Sequence, residues 1–193
     1  NYKGNLNYQI SGSSQKKDTN VNEVYVVNDL SFKSNSFFSN FGAISNYEIL
    51  FKNSTTKGDN SDTYGNKTQS DNYSSLIFNS SIPLKKNYKN YTGNLSPKLT
   101  AMFSPNKSEN LIDLDRKINI TNMFSTNRLG LSDSVEGGQS LTLGFDYEKL
   151  NKFDNQTFLN LSSGVVLRDK KNFDLPEKTS LGKRMSDIIG LLQ

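Results

Sequence analysis

Apolar and polar residues alternate one by one in long runs along this 193-residue chain, and a chain patterned this way has few folds open to it. Successive side chains of a β-strand point to opposite faces, so the alternation predicts strands with one apolar and one polar face. In the first run Tyr2, Leu6, Tyr8 and Ile10 oppose Lys3, Asn5, Asn7 and Gln9. Val24, Val26, Leu30 and Phe32 then oppose Tyr25, Asp29, Ser31 and Lys33. Phe41, Ala43, Tyr47, Ile49 and Phe51 repeat the pattern against Asn46, Glu48 and Lys52, with Ile44 and Leu50 off parity. Further runs follow at Leu76, Phe78, Ile82 and Leu84; at Leu95, Leu99, Ala101 and Phe103; and at Ile112, Leu114, Ile118 and Ile120. The series continues with Leu141, Leu143, Phe145 and Tyr147, and with Thr157, Leu159, Leu161, Val165 and Leu167. Each run approaches the ~9–11 residues with which a tilted strand crosses a bilayer, whereas strands of soluble domains average ~5–6.

Composition narrows the chemistry. With His 0 and Cys 0 the chain has no imidazole base, no thiolate nucleophile and no imidazole or thiolate metal site. Counting along the sequence gives 26 Asn and 26 Ser, turn-forming residues that disfavour helix interiors. A mean hydropathy of -0.65 would suit a disordered chain, but 9 Tyr and 12 Phe are too many aromatics for one. The net charge is +4, and the pairs Lys16-Lys17, Lys85-Lys86 and Lys170-Lys171 are scattered among turn residues, which reads as loops and not as a nucleic-acid footprint. No run approaches the ~18 consecutive apolar residues of a spanning helix. The opening residues, Asn1 to Leu6, lack the basic end and apolar core of a secretion signal.

Two architectures remain open from pattern alone: an outer-membrane β-barrel, apolar outside and polar in its lumen, and a soluble all-β domain. The connectors over residues 11–22, 53–72 and 124–139 read as long and polar, those over 34–40 and 151–155 as short, an asymmetry that barrels produce. Phe37, Phe38, Tyr88, Tyr91, Phe124, Tyr147 and Phe153 fall near segment ends, where they could form interfacial girdles or pack in a core. Asp113 and Asp115 share a strand face, but they lack further ligands in the sequence and read as a solvated pair beside Arg116 and Lys117. Sequons such as Asn66-Lys67-Thr68, Asn90-Tyr91-Thr92 and Asn119-Ile120-Thr121 are expected by chance in so Asn- and Ser-rich a chain. Gly137-Gly138 is a turn signal, not a phosphate cradle.

One stretch is more distinctive. From Phe124 to Gly144 the chain runs FSTNRLGLSDSVEGGQSLTLG, with a strand immediately after the charged loop. Upstream lie Leu95-Ser96-Pro97-Lys98-Leu99 and Phe103-Ser104-Pro105; downstream, Gly164 to Arg168 leads through Leu175-Pro176 to Ser186-Asp187-Ile188-Ile189-Gly190. In this order the three pieces resemble the barrel domain of the LptD (OstA) family of lipopolysaccharide-assembly proteins, over residues 95–190. Gly130 follows Leu129 directly, one place off the family spacing.

The resemblance implies an all-β, antiparallel transmembrane β-barrel of the bacterial outer membrane. Residues 1–193 would be a single partial barrel domain with about eight or nine strands of a larger barrel. The last strand would be at residues 186–193, with closure supplied from outside these residues. It implies transport of lipopolysaccharide into the outer leaflet, without catalysis, cofactor or metal. The expected partners are lipopolysaccharide, membrane lipids, an LptE-like lipoprotein plug, an LptA-like periplasmic bridge and the barrel-assembly machinery, with no nucleic acid. The residues singled out are Asn127, Arg128, Gly130, Asp133, Glu136, Gly137 and Gly138 in the loop, and Pro97, Arg168, Ser186, Asp187 and Gly190 in the strand motifs. If the loop tucks into a lumen, Arg128 can donate to Asp133 or Glu136. Another outer-membrane barrel of porin or adhesin type, or a secreted carbohydrate-binding β-sandwich, is the alternative reading.

Overall fold

The computed structural model describes residues 3–17 and 20–193, so Tyr2, placed by the alternation in the first strand, lies outside the described residues. Ten strands make one antiparallel sheet: β1 Gly4–Lys16, β2 Asn22–Ser34, β3 Phe37–Phe38, β4 Ile44–Asp59, β5 Gln69–Ser81, β6 Leu84–Asn87, β7 Tyr91–Ser104, β8 Gly138–Asn151, β9 Thr157–Arg168 and β10 Ile189–Leu192. Eight of them follow one another in the order β1-β2-β4-β5-β7-β8-β9-β10, each beside its neighbour in sequence, with β3 on β4 and β6 on β7. The sheet is open, with β1 and β10 at its edges. The described residues contain no α-helix, only a 3-10 turn at Ser180–Gly182. The described residues form one sheet, not the two packed sheets that a β-sandwich requires.

Register turns the sequence alternation into two continuous faces. Leu6, Phe32, Ile49, Leu76 and Phe103 stand in one row across five strands, and Leu99, Leu143 and Val165 in another. This face is bare: Leu6 is 70% exposed, Phe103 47% and Leu76 48%. A compact monomer of 21.7 kDa would expose ~9,200 Å². This chain exposes 12232 Å², so its apolar face is not folded away in a private core. On the opposite face Asp29 meets Lys52, Lys33 meets Glu48, Asn79 meets Thr100, and Ser162 meets Asp146.

Several connectors and one strand differ from expectation. The ladders β1–β2 and β4–β5 run on through Ser13, Thr55 and Ser70, so the intervening turns are shorter than residues 11–22 and 53–72 suggested. Polar residues extend these strands because backbone pairing does not require an apolar side chain. The segment Ile112 to Ile120 alternates but is not a strand; it lies in the long connection over residues 105–137. Leu111 and Ile118 there are buried in a cluster with Met123, Leu129, Leu131, Val166, Leu175 and Leu181. Period-two spacing over so short a stretch also suits a chain folded through turns, which here are held by Asn119 side-chain bonds to the amides of Thr121 and Asn122.

Two prolines mark a break in the sheet. β7 pairs with β5 up to Lys98–Ser81 and with β6 from Leu95–Leu84. Pro97 sits between those two blocks, where its missing N–H costs no ladder bond, and its carbonyl accepts from Ile82 N at 3.1 Å, next to Pro83.

Candidate functional site

The long connection over residues 105–137 crosses the polar face from β4 to β9 and is fastened there by side chains. The connection over residues 169–188 packs beside it through Leu175 and Leu181. Leu111 N donates to Asp174 O at 2.7 Å, and Asn172 Nδ2 to Ser108 Oγ at 2.8 Å, so the two connections form one unit.

At the centre of this unit is a buried charge cluster. Arg128 Nε and Nη2 each donate to Glu136 at 2.6 Å, a two-pronged pairing, while Nη2 also reaches Ser140 Oγ at 2.7 Å and Nη1 reaches Thr142 Oγ1 at 3.2 Å. Arg168, at the end of β9, contacts the same carboxylate, and its Nε donates to Leu181 O at 2.7 Å. Side-chain exposures are 3% for Arg128, 4% for Glu136 and 1% for Arg168. Burial pulls the Arg128 guanidinium down to about 10, still far above neutral, so the cluster carries two cations on one carboxylate. Such a group is held only where hydrogen bonds replace the lost water, and the Ser140 and Thr142 hydroxyls and the Leu181 carbonyl do so here.

A second fastening is steric. Gly144 and Gly164 face each other across β8 and β9 on the polar face. A Cβ on Gly164 would lie 2.8 Å from Met123 Sδ, and one on Gly144 would lie 2.7 Å from Phe124 Cζ. The glycine pair is thus a slot that receives two side chains of the loop, and Met123 is fully buried in it. Burying a side chain of that size contributes roughly 1.5–3 kcal/mol. Phe124, grouped by sequence with a terminal aromatic girdle, therefore packs on this polar face under Lys98, whose Nζ lies 5.5 Å from the ring centroid. Of the aromatics named from the sequence, Tyr88 and Tyr91 stack at the short-turn end, joined there by Phe158, which that list did not include.

Further bonds tie the loop to the neighbouring strands. Lys52 Nζ reaches Ser132 O at 3.2 Å, and Tyr73 donates to Glu109. Asn106 imitates a strand: its Oδ1 accepts from Ser74 N at 2.8 Å and its Nδ2 donates to Asn72 O at 2.9 Å, continuing β5 where β7 no longer pairs with it.

The residues singled out by sequence divide accordingly. Arg128, Glu136 and Arg168 meet in one cluster, whereas Asp133 is not among the partners of Arg128. Asn127 braces its own turn, exchanging bonds with Leu131 N and O at 2.8 and 2.7 Å. Gly130 and Gly138 adopt φ of 65° and 91°, the left-handed region that glycine enters without cost. A Cβ on Gly137 would lie 2.4 Å from Asn106 O, so glycine lets the two backbones pass. Pro97 sits at the break in the sheet, Gly190 pairs with Ser163, and Ser186 closes β9 by accepting from Val166 N at 2.9 Å. Asp187 N donates to Ser180 Oγ at 2.8 Å. Sequence reasoning misses Met123, Asn106 and Tyr73; Gly144 and Gly164 stand in the quoted motifs without a role assigned there, although a glycine interior to each of two adjacent strands is a mark of close approach.

Among the described residues no group of three or more acidic side chains is placed to hold a metal ion. What the arrangement builds is a polar face with a loop seated on it, backed by an exposed apolar face. Comparison with curated protein sequences returns no significant match. The sequence model of LptD, LPS transport system D, matches residues 35–193, so this chain belongs to the LptD family of lipopolysaccharide transport proteins, outer-membrane transporters of Gram-negative bacteria and not enzymes.

Proposed function

We propose that the chain is part of the wall of an outer-membrane β-barrel through which lipopolysaccharide passes to the outer leaflet, residues 1–193 forming one partial barrel domain. The observation that carries this reading is the pairing of a bare apolar face with a polar face that holds its own loop. In a bilayer the apolar face meets lipid and the polar face lines the lumen. Strands of 12 to 16 residues exceed the ~9–11 needed to cross, so their polar ends project beyond the membrane. The end with the long connections faces outward, and the end with short turns and clustered aromatics faces the periplasm. The lumen would shelter the sugar and phosphate headgroup while acyl chains stay in the membrane. A lipoprotein plug, a periplasmic bridge protein and the barrel-assembly machinery are the partners this role calls for.

The test is depletion of the protein in its own cell, followed by measurement of newly made lipopolysaccharide at the surface. Surface delivery is expected to fall, with the protein recovered from outer membranes only in detergent. Undiminished delivery, or recovery in the aqueous fraction, overturns the reading.

A further inference from the structure

On the apolar face the register sets Phe78, Ala101, Leu141 and Leu167 side by side across β5, β7, β8 and β9. Ala101 is short among longer neighbours, and the wall dips there into an apolar groove flanked by Leu76 and Phe103. Towards the long-connection end the groove becomes polar, at Gln139 and Asp169. It runs into a second depression that shares Phe103, Gln139 and Asp169 and adds Lys107, Lys170 and Lys171. All three lysines are exposed. Asp169 and Asp174 border the same mouth, so three lysines face two carboxylates there and positive charge is in excess by one even with Arg168 left out as a partner of Glu136.

An apolar groove that opens into a basic mouth at the level where a barrel wall leaves the membrane fits an amphiphile with acyl chains and a phosphate. We propose that it holds one lipid A moiety on the outer wall, an acyl chain lying across Ala101 and a phosphate at Lys107, Lys170 and Lys171; this rests on the transport reading above. Inside a bilayer the chain gains no hydrophobic free energy by leaving lipid for the groove. The groove therefore sets shape, and the lysine contacts supply the preference over uncharged lipids. The site lies on the lipid-facing wall, distinct from the polar face that would carry the headgroup in transit.

The test places a benzoylphenylalanine photocrosslinker at Gln139 or, for comparison, at Leu6, which faces the same lipid from β1, three strands away from Leu76 at the edge of the groove. The protein is purified from outer membranes and reconstituted in phospholipid nanodiscs containing a small fraction of lipid A. The lipid A adduct is expected to be several-fold stronger from position 139 than from position 6. It is expected to fall about tenfold in the triple variant Lys107→Glu, Lys170→Glu, Lys171→Glu, and also in Ala101→Phe, which fills the groove. Should Ala101→Phe fail to fold, the exposed lysine substitutions carry the test. Equal adducts at the two positions, an adduct unmoved by charge reversal, or phosphatidylglycerol captured as strongly as lipid A would each overturn the site. Surface delivery of lipopolysaccharide, measured in the same strains, separates the two ideas. A missing adduct with delivery intact removes this site and leaves transport standing, whereas a protein that never reaches the outer membrane removes both.

Discussion

Replacing Arg128 by Ala is the sharpest perturbation of the seated loop. The side chain makes two bonds to the Glu136 carboxylate and one each to Ser140 and Thr142, all in a site closed to water. A hydrogen bond to a charged partner is worth roughly 1.5–3 kcal/mol, so the two carboxylate bonds alone amount to about 3–6 kcal/mol. Glu136 keeps Arg168 after the substitution, which lowers the penalty for a stranded anion. A cost of ~3–5 kcal/mol is therefore expected, in the range for breaking a buried ion pair. At 1.4 kcal/mol per tenfold, loop opening becomes roughly a hundred- to a few-thousand-fold more frequent. Hydrogen exchange reads this directly, because the amides of Leu131 and Gly137 are bonded only within the loop unit, to Asn127 Oδ1 and Ser108 Oγ. Their exchange should accelerate by the same factor in the detergent-solubilised protein, while amides in the β4–β5 ladder change little. In cells the variant should impair outer-membrane assembly or admit bulky antibiotics that the native envelope excludes. Exchange at Leu131 and Gly137 within threefold of wild type, together with unchanged antibiotic sensitivity, would refute the claim that this pair holds the loop.

Three further outcomes are expected. Gly164→Leu puts a side chain where Met123 sits, an overpacking cost of about 1–3 kcal/mol that should lower the melting temperature in detergent by about 2–12 °C, and an unchanged melting curve would remove the slot. Asn106→Leu leaves Ser74 N and Asn72 O without their side-chain partner, so exchange of the Ser74 amide should rise while that of the β4 amides stays put. Leu143→Arg, on the bare apolar face, should cost up to about 2–4 kcal/mol of membrane insertion, whereas Asn79→Lys on the polar face should be tolerated; equal effects in a folding assay into vesicles would contradict the assignment of faces.

The alternation in sequence was enough to find most of the sheet, since one residue in two must meet a different environment and the pattern of Leu30, Phe32, Ile49 and Phe51 is that requirement written out. It failed in two places. The polar ends of β1, β4 and β5 pair through backbone atoms that no side-chain pattern reports, so their turns looked longer than they are. The run from Ile112 to Ile120 carries the same spacing, but its apolar residues are buried by turns against Val166 and Leu181, not by a sheet. For the site, the sequence marked Arg128, Glu136 and Arg168 separately, and local spacing could offer Arg128 both Asp133 and Glu136.

What the sequence determined by itself is the strand period, the absence of His and Cys chemistry, and the ordered motifs of residues 95–190, because these are properties of neighbouring residues. Tertiary structure alone decided that one carboxylate serves two arginines lying 8 and 32 positions away, and that Gly144 and Gly164 open a slot for Met123. Both depend on which strands register side by side, and register is set by the whole ladder, not by any stretch of sequence short enough to read.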